Sequence, residues 1–194
     1  MPSIRSVAVF CGASTGNAAH FTIAARDLGR GIAEAGLRLI YGGGRVGLMG
    51  EVADAAVRAG GTVIGVIPDF LKQREVAHDD ISELIVTPDM HTRKRRMFEL
   101  SDAFVSFAGG LGTLDETFEI LTWRQLGLHD KPVLICDVGG AAAPLLAAIE
   151  GAIAMGFARP ETRALYDVRD GVPAALEWLR SRDVPDGAAP LRGD

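Results

Sequence analysis

The chain has 194 residues, 48% of them hydrophobic and 23% charged, with 24 glycines that follow no Gly-X-Y period. That composition suits one buried core and excludes disordered and fibrous architectures. A net charge of −5 argues against general affinity for nucleic acid or anionic membranes, which needs a broad basic surface.

No apolar run approaches the roughly 18 residues of a membrane helix. Met1-Pro2-Ser3-Ile4-Arg5 leads straight into a strand pattern rather than a signal sequence, so a cytoplasmic protein is expected. Ser6-Val7-Ala8-Val9-Phe10-Cys11 reads as a first buried strand, followed by a Gly/Ser turn and a helix over residues 18–35 that Gly36 closes. Residues 37–41 form the second strand, and Gly42-Gly43-Gly44 turns it into a helix over 48–59. A third strand over 62–67 ends at Pro68, a polar stretch covers 72–80, and a fourth strand centres on Ile85. A helix from about 89–92 to Leu100 precedes the fifth strand, Ala103-Phe104-Val105-Ser106-Phe107.

Gly109-Gly110-Leu111-Gly112 then leads into a helix over 113–126, a sixth strand over 132–136 and an Ala-rich helix over 141–155. A short strand near 166–168 and a helix over 173–180 complete the pattern. Residues 1–180 are expected to form one nucleotide-binding domain, and residues 181–194, with their Pro, Gly and Ala, a flexible tail. Strands separated by single helices imply parallel pairing and right-handed crossovers: a doubly wound, Rossmann-like α/β sheet of six to seven strands with helices on both faces. Ligands of such sheets sit at the carboxyl ends of the strands, where the glycine turns fall. Cys11 and Cys136 each end an apolar run and read as reduced core thiols, and the four histidines lack metal-ligand spacing, so no metal is expected.

Gly42-Gly43-Gly44-Arg45-Val46-Gly47 satisfies G-x-G-x-x-G between a strand and a helix, with Asp69 at the end of the next strand. This is the pattern of a dinucleotide site, although three adjacent glycines satisfy many patterns and the fingerprint normally follows the first strand. Tight packing explains the turn equally well. In the second turn, Gly109-Gly110-Leu111-Gly112-Thr113, glycines let backbone N–H groups converge on an anion at a helix start. Thr113 and Glu116 also spell a T-x-x-E capping box, which would make Glu116 a helix cap. Against that, Glu116, Ile120 and Trp123 share a stripe, which places the carboxylate beside buried surface, where it can act as an acid or base. Both readings stay open. Met90, Arg93, Met97 and Leu100 share one helix face, directing Arg93 to the sheet while Arg95 and Arg96 look outward. Arg93 is there either as an anion contact or as a snorkelling side chain paired with a local carboxylate.

Met90-His91-Thr92-Arg93-Lys94 followed by Gly109-Gly110-Leu111-Gly112-Thr113-Leu114-Asp115-Glu116 resembles the M-H-x-R-K and P-G-G-x-G-T-x-x-E motifs of the LONELY GUY proteins. The resemblance extends through Cys11-Gly12-Ala13-Ser14, Tyr41-Gly42-Gly43-Gly44, Gly47-Leu48-Met49-Gly50 and Arg74-Glu75-Val76-Ala77-His78. It ends beyond Thr122-Trp123-Arg124-Gln125-Leu126-Gly127-Leu128-His129-Asp130-Lys131-Pro132 and covers most of the chain up to about residue 156. It implies a phosphoribohydrolase that cuts the N-glycosidic bond of cytokinin riboside 5'-monophosphates, and in many bacterial members of AMP, to free base and ribose 5-phosphate. It implies no cofactor, and a homodimer that pairs through helices beside the site. By position, Arg93 and Glu116 match the family's catalytic pair. Glu75, Arg93, Lys94, Gly110, Leu111, Gly112, Thr113, Leu114, Asp115, Glu116 and Thr122 match its nucleotide-binding positions. One departure is Ala108 in place of the family proline, which leaves the turn less preorganised while retaining its N–H donors. The family's older label, lysine decarboxylase, would need a lysine to hold pyridoxal phosphate, and none of Lys72, Lys94 and Lys131 is a strong candidate. Two other functions fit parts of the sequence: nucleotide binding without turnover, and a dinucleotide-dependent oxidoreductase built on residues 42–47.

Overall fold

Alternation of inward-facing side chains along short strands, and apolar stripes on the intervening helices, set the architecture. The computed structural model describes residues 4–72 and 74–182. In chain order these form β1 (Ser6–Phe10), α1 (Ala19–Glu34), β2 (Arg38–Tyr41), α2 (Gly47–Arg58), β3 (Val63–Pro68), β4 (Glu83–Thr87) and α3 (Met90–Leu100). They continue with β5 (Ala103–Ser106), α4 (Leu111–Gln125), β6 (Val133–Asp137), α5 (Ala143–Ala154), β7 (Asp167–Asp170) and α6 (Gly171–Ser181). The expected tail over 183–194 lies outside the described residues, and Ser181, assigned to that tail, is the last residue of α6.

All seven strands pair in parallel in the order β4-β3-β2-β1-β5-β6-β7. Strand residues alternate between two cores. Val7, Val9, Leu39 and Val105 pack on one face under Leu28 and Ile32 of α1, Val52 of α2 and Trp178 of α6. Ala8, Phe10, Ile40 and Phe104 pack on the other under Met97 and Phe98 of α3, Ile120 of α4 and Leu145 of α5. Strands buried on both sides read as continuous apolar runs, which is why every residue of β1, β3 and β5 is buried. Among the described residues no helix is long and apolar enough to cross a membrane.

The strand order reverses between β1 and β5. Pairing continues past both strand ends, with Phe107 N–H donating to Phe10 O (2.9 Å) and Gly12 N–H to Ala108 O (3.0 Å), and then the two loops diverge. The resulting crevice is the place where such a sheet binds ligands. The crossover from β3 to β4 contains only a short 3-10 turn, Asp69–Leu71, so the polar loop after it is free to fold over the carboxyl ends of the strands.

Candidate active site

A cavity of about 550 Å³ opens at this crevice, within the usual size range for small-molecule sites. It is lined by the loop after β1, residues 11–16, by the turn after β5, residues 108–113, and by Glu75, Arg93, Glu116, Phe21 and Ala141.

Arg93 enters from α3. Asp89 caps that helix, its Oδ1 accepting from Thr92 N–H at 2.7 Å, and the helix register then turns Arg93 toward the sheet. The side chain is 5% exposed. Its Nε donates to Val66 O and its Nη2 to Gly42 O, each at 3.1 Å. These two carbonyls lock the guanidinium plane. The carboxylates stand farther off, Glu75 Oε2 at 4.0 Å from Nη2 and Glu116 Oε1 at 3.9 Å from Nη1, both beyond hydrogen-bond distance. Arg93 is therefore no snorkelling side chain with a local partner.

Gly42 makes this possible, because a Cβ there would lie 2.2 Å from Arg93 Nη2. The rest of its turn is also spent on packing: a Cβ on Gly44 would meet Glu75 Cβ at 3.0 Å, and one on Gly47 the backbone carbon of Ala13 at 2.2 Å. Arg45 N–H donates to Glu75 O and Val76 O, and His78 N–H to Gly43 O. The dinucleotide reading of residues 42–47 is thereby corrected: the turn binds protein, it follows the second strand, and only Gly42 of its glycines reaches the cavity.

Glu75 is presented by a loop held at several points. His78, fully buried, places Nε2 2.9 Å from Asp54 Oδ1 of α2, and Val76 adopts a left-handed backbone (φ 47°), rare for a β-branched residue. Glu75 Oε2 is buried without a hydrogen-bond partner among the described residues. Burial raises its pKa, with Arg93 opposing.

The turn after β5 is organised differently. Gly110 is the N-cap of α4, no side chain caps the helix, and Leu111 is its first residue, 85% exposed. The capping-box reading is corrected here, because the helix starts two residues before Thr113 and places Glu116 in its second turn. The residues of this helix start line the cavity without a side-chain cap, and an uncapped helix start favours an anion. A Cβ at Gly110 or Gly112 would meet nothing within 4 Å. Thr113 Oγ1 is buried and unpartnered, while Thr117 Oγ1 bonds to Thr113 O (2.6 Å) and Ser106 Oγ (2.8 Å) beneath the turn. Glu116, 8% exposed, is pushed up to about 7, chiefly by burial, with Arg93 pulling down and Asp115 and Glu75 adding to the rise.

Of the residues singled out in the sequence, the structure brings Glu75, Arg93, Gly110, Leu111, Gly112, Thr113 and Glu116 around one cavity. Lys94 does not line it: its Nζ pairs with Asp115 Oδ2 (2.8 Å) and Glu119 Oε2 (3.2 Å), tying α3 to α4 from outside. Leu114, Asp115 and Thr122 also lie off the lining, Thr122 exposed farther along α4. Sequence reasoning missed Ser14, Thr15, Gly16 and Phe21. Their signal was topological, since the end of β1 always borders the crevice in a doubly wound sheet.

Residues 49–179 match the family model described as possible lysine decarboxylase. The chain is 48% identical over 181 residues to the cytokinin riboside 5'-monophosphate phosphoribohydrolase of Rhodococcoides fascians, an alignment that covers 93% of this chain and 91% of the relative. A phosphoribohydrolase of the same name from Arabidopsis thaliana is 43% identical, with 91% and 81% covered. The chain belongs to the LONELY GUY family. Among solved structures, the molybdenum cofactor carrier protein from Chlamydomonas reinhardtii shares the fold of this LONELY GUY chain at TM-score 0.68 and 24% identity, covering 92% of this chain and 99% of that one. The lysine decarboxylase label finds no support in the lysines: Lys72 pairs with Asp69 on the surface, Lys94 with Asp115 and Glu119, and Lys131 is buried against Phe98, all outside the cavity. Gly109 abuts Gly12 and Thr113, and Ala108, the residue before it, is buried.

Proposed function

We propose that this protein hydrolyses the N-glycosidic bond of cytokinin riboside 5'-monophosphates, and of AMP, releasing the base and ribose 5-phosphate. The observation that carries the reading is the placing of an immobilised arginine and a buried, pKa-raised carboxylate beside an uncapped helix start, in one cavity of nucleotide size. The names of relatives at 42–48% identity support the substrate class.

In this reading the α4 amides and Thr113 Oγ1 hold the 5'-phosphate. Arg93 holds a phosphoribosyl oxygen through Nη1, the guanidinium nitrogen that bonds to neither carbonyl and whose hydrogen bond goes to Met90 Sδ, a weak acceptor at 3.8 Å. The C1'–N9 bond breaks with its electron pair leaving on the base, which takes up a proton, and positive charge builds on the ribosyl carbon. Glu116, ionised, faces that charge in a site of low dielectric and accepts a proton from the water whose oxygen joins C1'. Glu75 flanks Arg93 on the other side and accepts a ribose hydroxyl on its unpartnered oxygen. The reaction written this way draws only on water and this chain's side chains.

The chain acts as a homodimer in this proposal. Leu111 and Phe118 are exposed on one face of α4, with half-buried Leu114 between them, an apolar stripe beside the site that a second copy would cover. Light scattering should return twice the monomer mass, and a monomer at working concentration removes this part.

Incubation with AMP, isopentenyl-AMP and the matching nucleosides, followed by chromatography, tests the reading. Free base from the monophosphates and not from the nucleosides is expected. Equal rates on both would remove the phosphate anchor, and binding without base release would remove the hydrolase.

A further inference from the structure

The loop that joins α4 to β6 carries two buried polar side chains that the reaction does not use. His129 is 3% exposed and Lys131 4%. The Lys131 backbone N–H donates to His129 Nδ1 at 3.1 Å, so that nitrogen carries no proton. The proton is therefore on Nε2, which donates to Ile120 O of α4 at 3.0 Å. Burial keeps the ring neutral, holding its pKa down to about 4. Lys131 Nζ donates to Phe98 O of α3 at 2.7 Å and lies 3.8 Å from the centre of the Phe98 ring. Phe98 O belongs to the last turn of α3, where it also accepts the Ser101 N–H at 3.3 Å and where a cation is favoured. Asp102 and Glu99 add to that preference, while burial pulls the amine down to about 8. The His129 ring also packs edge-on against Phe98, at 5.1 Å between centroids.

One short loop thus grips a carbonyl on each of the two helices that bear Arg93 and Glu116. Ile120 is one helical turn beyond Glu116 on the same face, and Phe98 little more than one turn beyond Arg93. No direct hydrogen bond sets the spacing of Arg93 and Glu116, which stand 3.9 Å apart. Lys94 ties the two helices only from the outside. We propose that His129 and Lys131 are positioning residues for the hydrolytic site, a clasp that fixes the distance between α3 and α4 and hence the approach of Arg93 to Glu116. This rests on the function proposed above.

Lys131→Met keeps the stem and removes the donors. Replacement of a buried charge by an apolar side chain of similar volume is often tolerated, so a folded variant is expected. Its kcat on AMP should fall roughly 10- to 100-fold, as for other small misplacements of reacting groups. KM should change by less than about threefold. Arg93, Asp115, Glu75 and Lys94 all act on Glu116, and Arg93 is the strongest charge among them. Carbon-13 NMR titration of the Glu116 carboxyl should therefore move upward in Lys131→Met as Arg93 recedes. Lys131→Arg, which keeps a cationic donor toward Phe98 O, should recover most of kcat. Wild-type kcat together with an unmoved Glu116 titration in Lys131→Met overturns the proposal whatever its melting temperature. Should Lys131→Met not fold, His129→Gln is read in the same two ways: the same losses sustain the clasp and wild-type values overturn it. If the wild-type protein releases no base from any monophosphate, the functional reading fails, and the Glu116 titration alone then decides the clasp.

Discussion

The two glycine turns look alike in sequence but differ at the helix start: Gly109 packs against Thr113 and Gly12 much as the first turn's glycines pack, while Gly110 and Gly112 border open space. Each joins a buried strand to a helix at the carboxyl edge of the sheet. Around residues 42–47, added Cβ atoms would collide with Arg93, Glu75 and the backbone of Ala13. At Gly110 and Gly112 they would enter open space. In the first turn glycine removes bulk so that two parts of the protein can meet; at Gly110 and Gly112 it keeps bulk away from an uncapped helix start that lines a cavity. A glycine-rich turn between strand and helix is thus two different devices, and what the absent methyl would touch tells them apart.

If the open turn is the ligand side, its helix should carry the chemistry. Glu116→Gln should lose two or more decades of rate, the scale of a lost acid–base group, with AMP affinity nearly unchanged. Thermal melting should shift little, because Glu116 makes no cap for the substitution to break. Near-full turnover in this variant would leave the open turn without a catalytic partner. The closed turn, by contrast, serves chemistry through the side chains it packs against, Arg93 and Glu75. Arg93→Lys cannot reach Val66 O, Gly42 O and a substrate oxygen together, and a loss of roughly one to three decades in kcat/KM is expected from steady-state kinetics. Gly42→Ala should act in the same direction without replacing the arginine, by pushing against its Nη2. It forces a clash at 2.2 Å, costing about 1–3 kcal/mol in a denaturation series and at least roughly tenfold in rate.

The pH dependence follows from the raised Glu116. Between its ordinary value of 4.5 and about 7, folded protein holds a proton on this carboxyl that the unfolded chain releases. Its contribution therefore favours the fold below that window and is lost as pH rises through about 7. Rate should run the other way, rising with pH through about 7 as the carboxylate forms. The second ionisation of the AMP phosphate falls nearby, at about 6, so the residual rate of Glu116→Gln separates the two: the limb near 7 should vanish and only the phosphate limb remain.

The strands and most helices were legible because burial on both faces writes itself as apolar runs, and Arg93 was legible because Met90, Arg93 and Met97 share one helix face. The start of α4 was not. Thr113 and Glu116 spell a cap, but the chain begins its helix earlier, with Gly110 as an extended N-cap and Leu111 as the first helical residue, and no side chain caps the N–H groups. Lys94 matches a nucleotide-binding position of the family by resemblance, whereas its partners Asp115 and Glu119 come from another helix. The loop after β1 and the meeting of Glu75 with Arg93 depend on the order of strands, a property no local pattern carries. The two uses of glycine were indistinguishable for the same reason, since each depends on what a distant segment brings alongside.

The smallest effect expected is also the one that divides the two turns by sign. Gly112 lies in the first turn of α4, with φ and ψ inside a regular helix and no atom within 4 Å of an added methyl. Helical alanine is favoured over glycine by about 0.5–1 kcal/mol, chiefly through the entropy of the unfolded chain. Gly112→Ala should therefore leave the protein as stable as wild type or raise its melting temperature by a few degrees. Gly42→Ala lowers it. In the proposed function the methyl of Gly112→Ala nevertheless enters the space assigned to the phosphate, so KM for AMP should rise, by roughly tenfold, while kcat at saturation changes less. A rise in KM with undiminished stability would be the mark of a glycine kept for a ligand. If stability and KM fell together, or KM did not move at all, the open turn would be packing like the other, and the anion site would have to be sought in the loop after β1, where Ser14 and Thr15 border the same cavity.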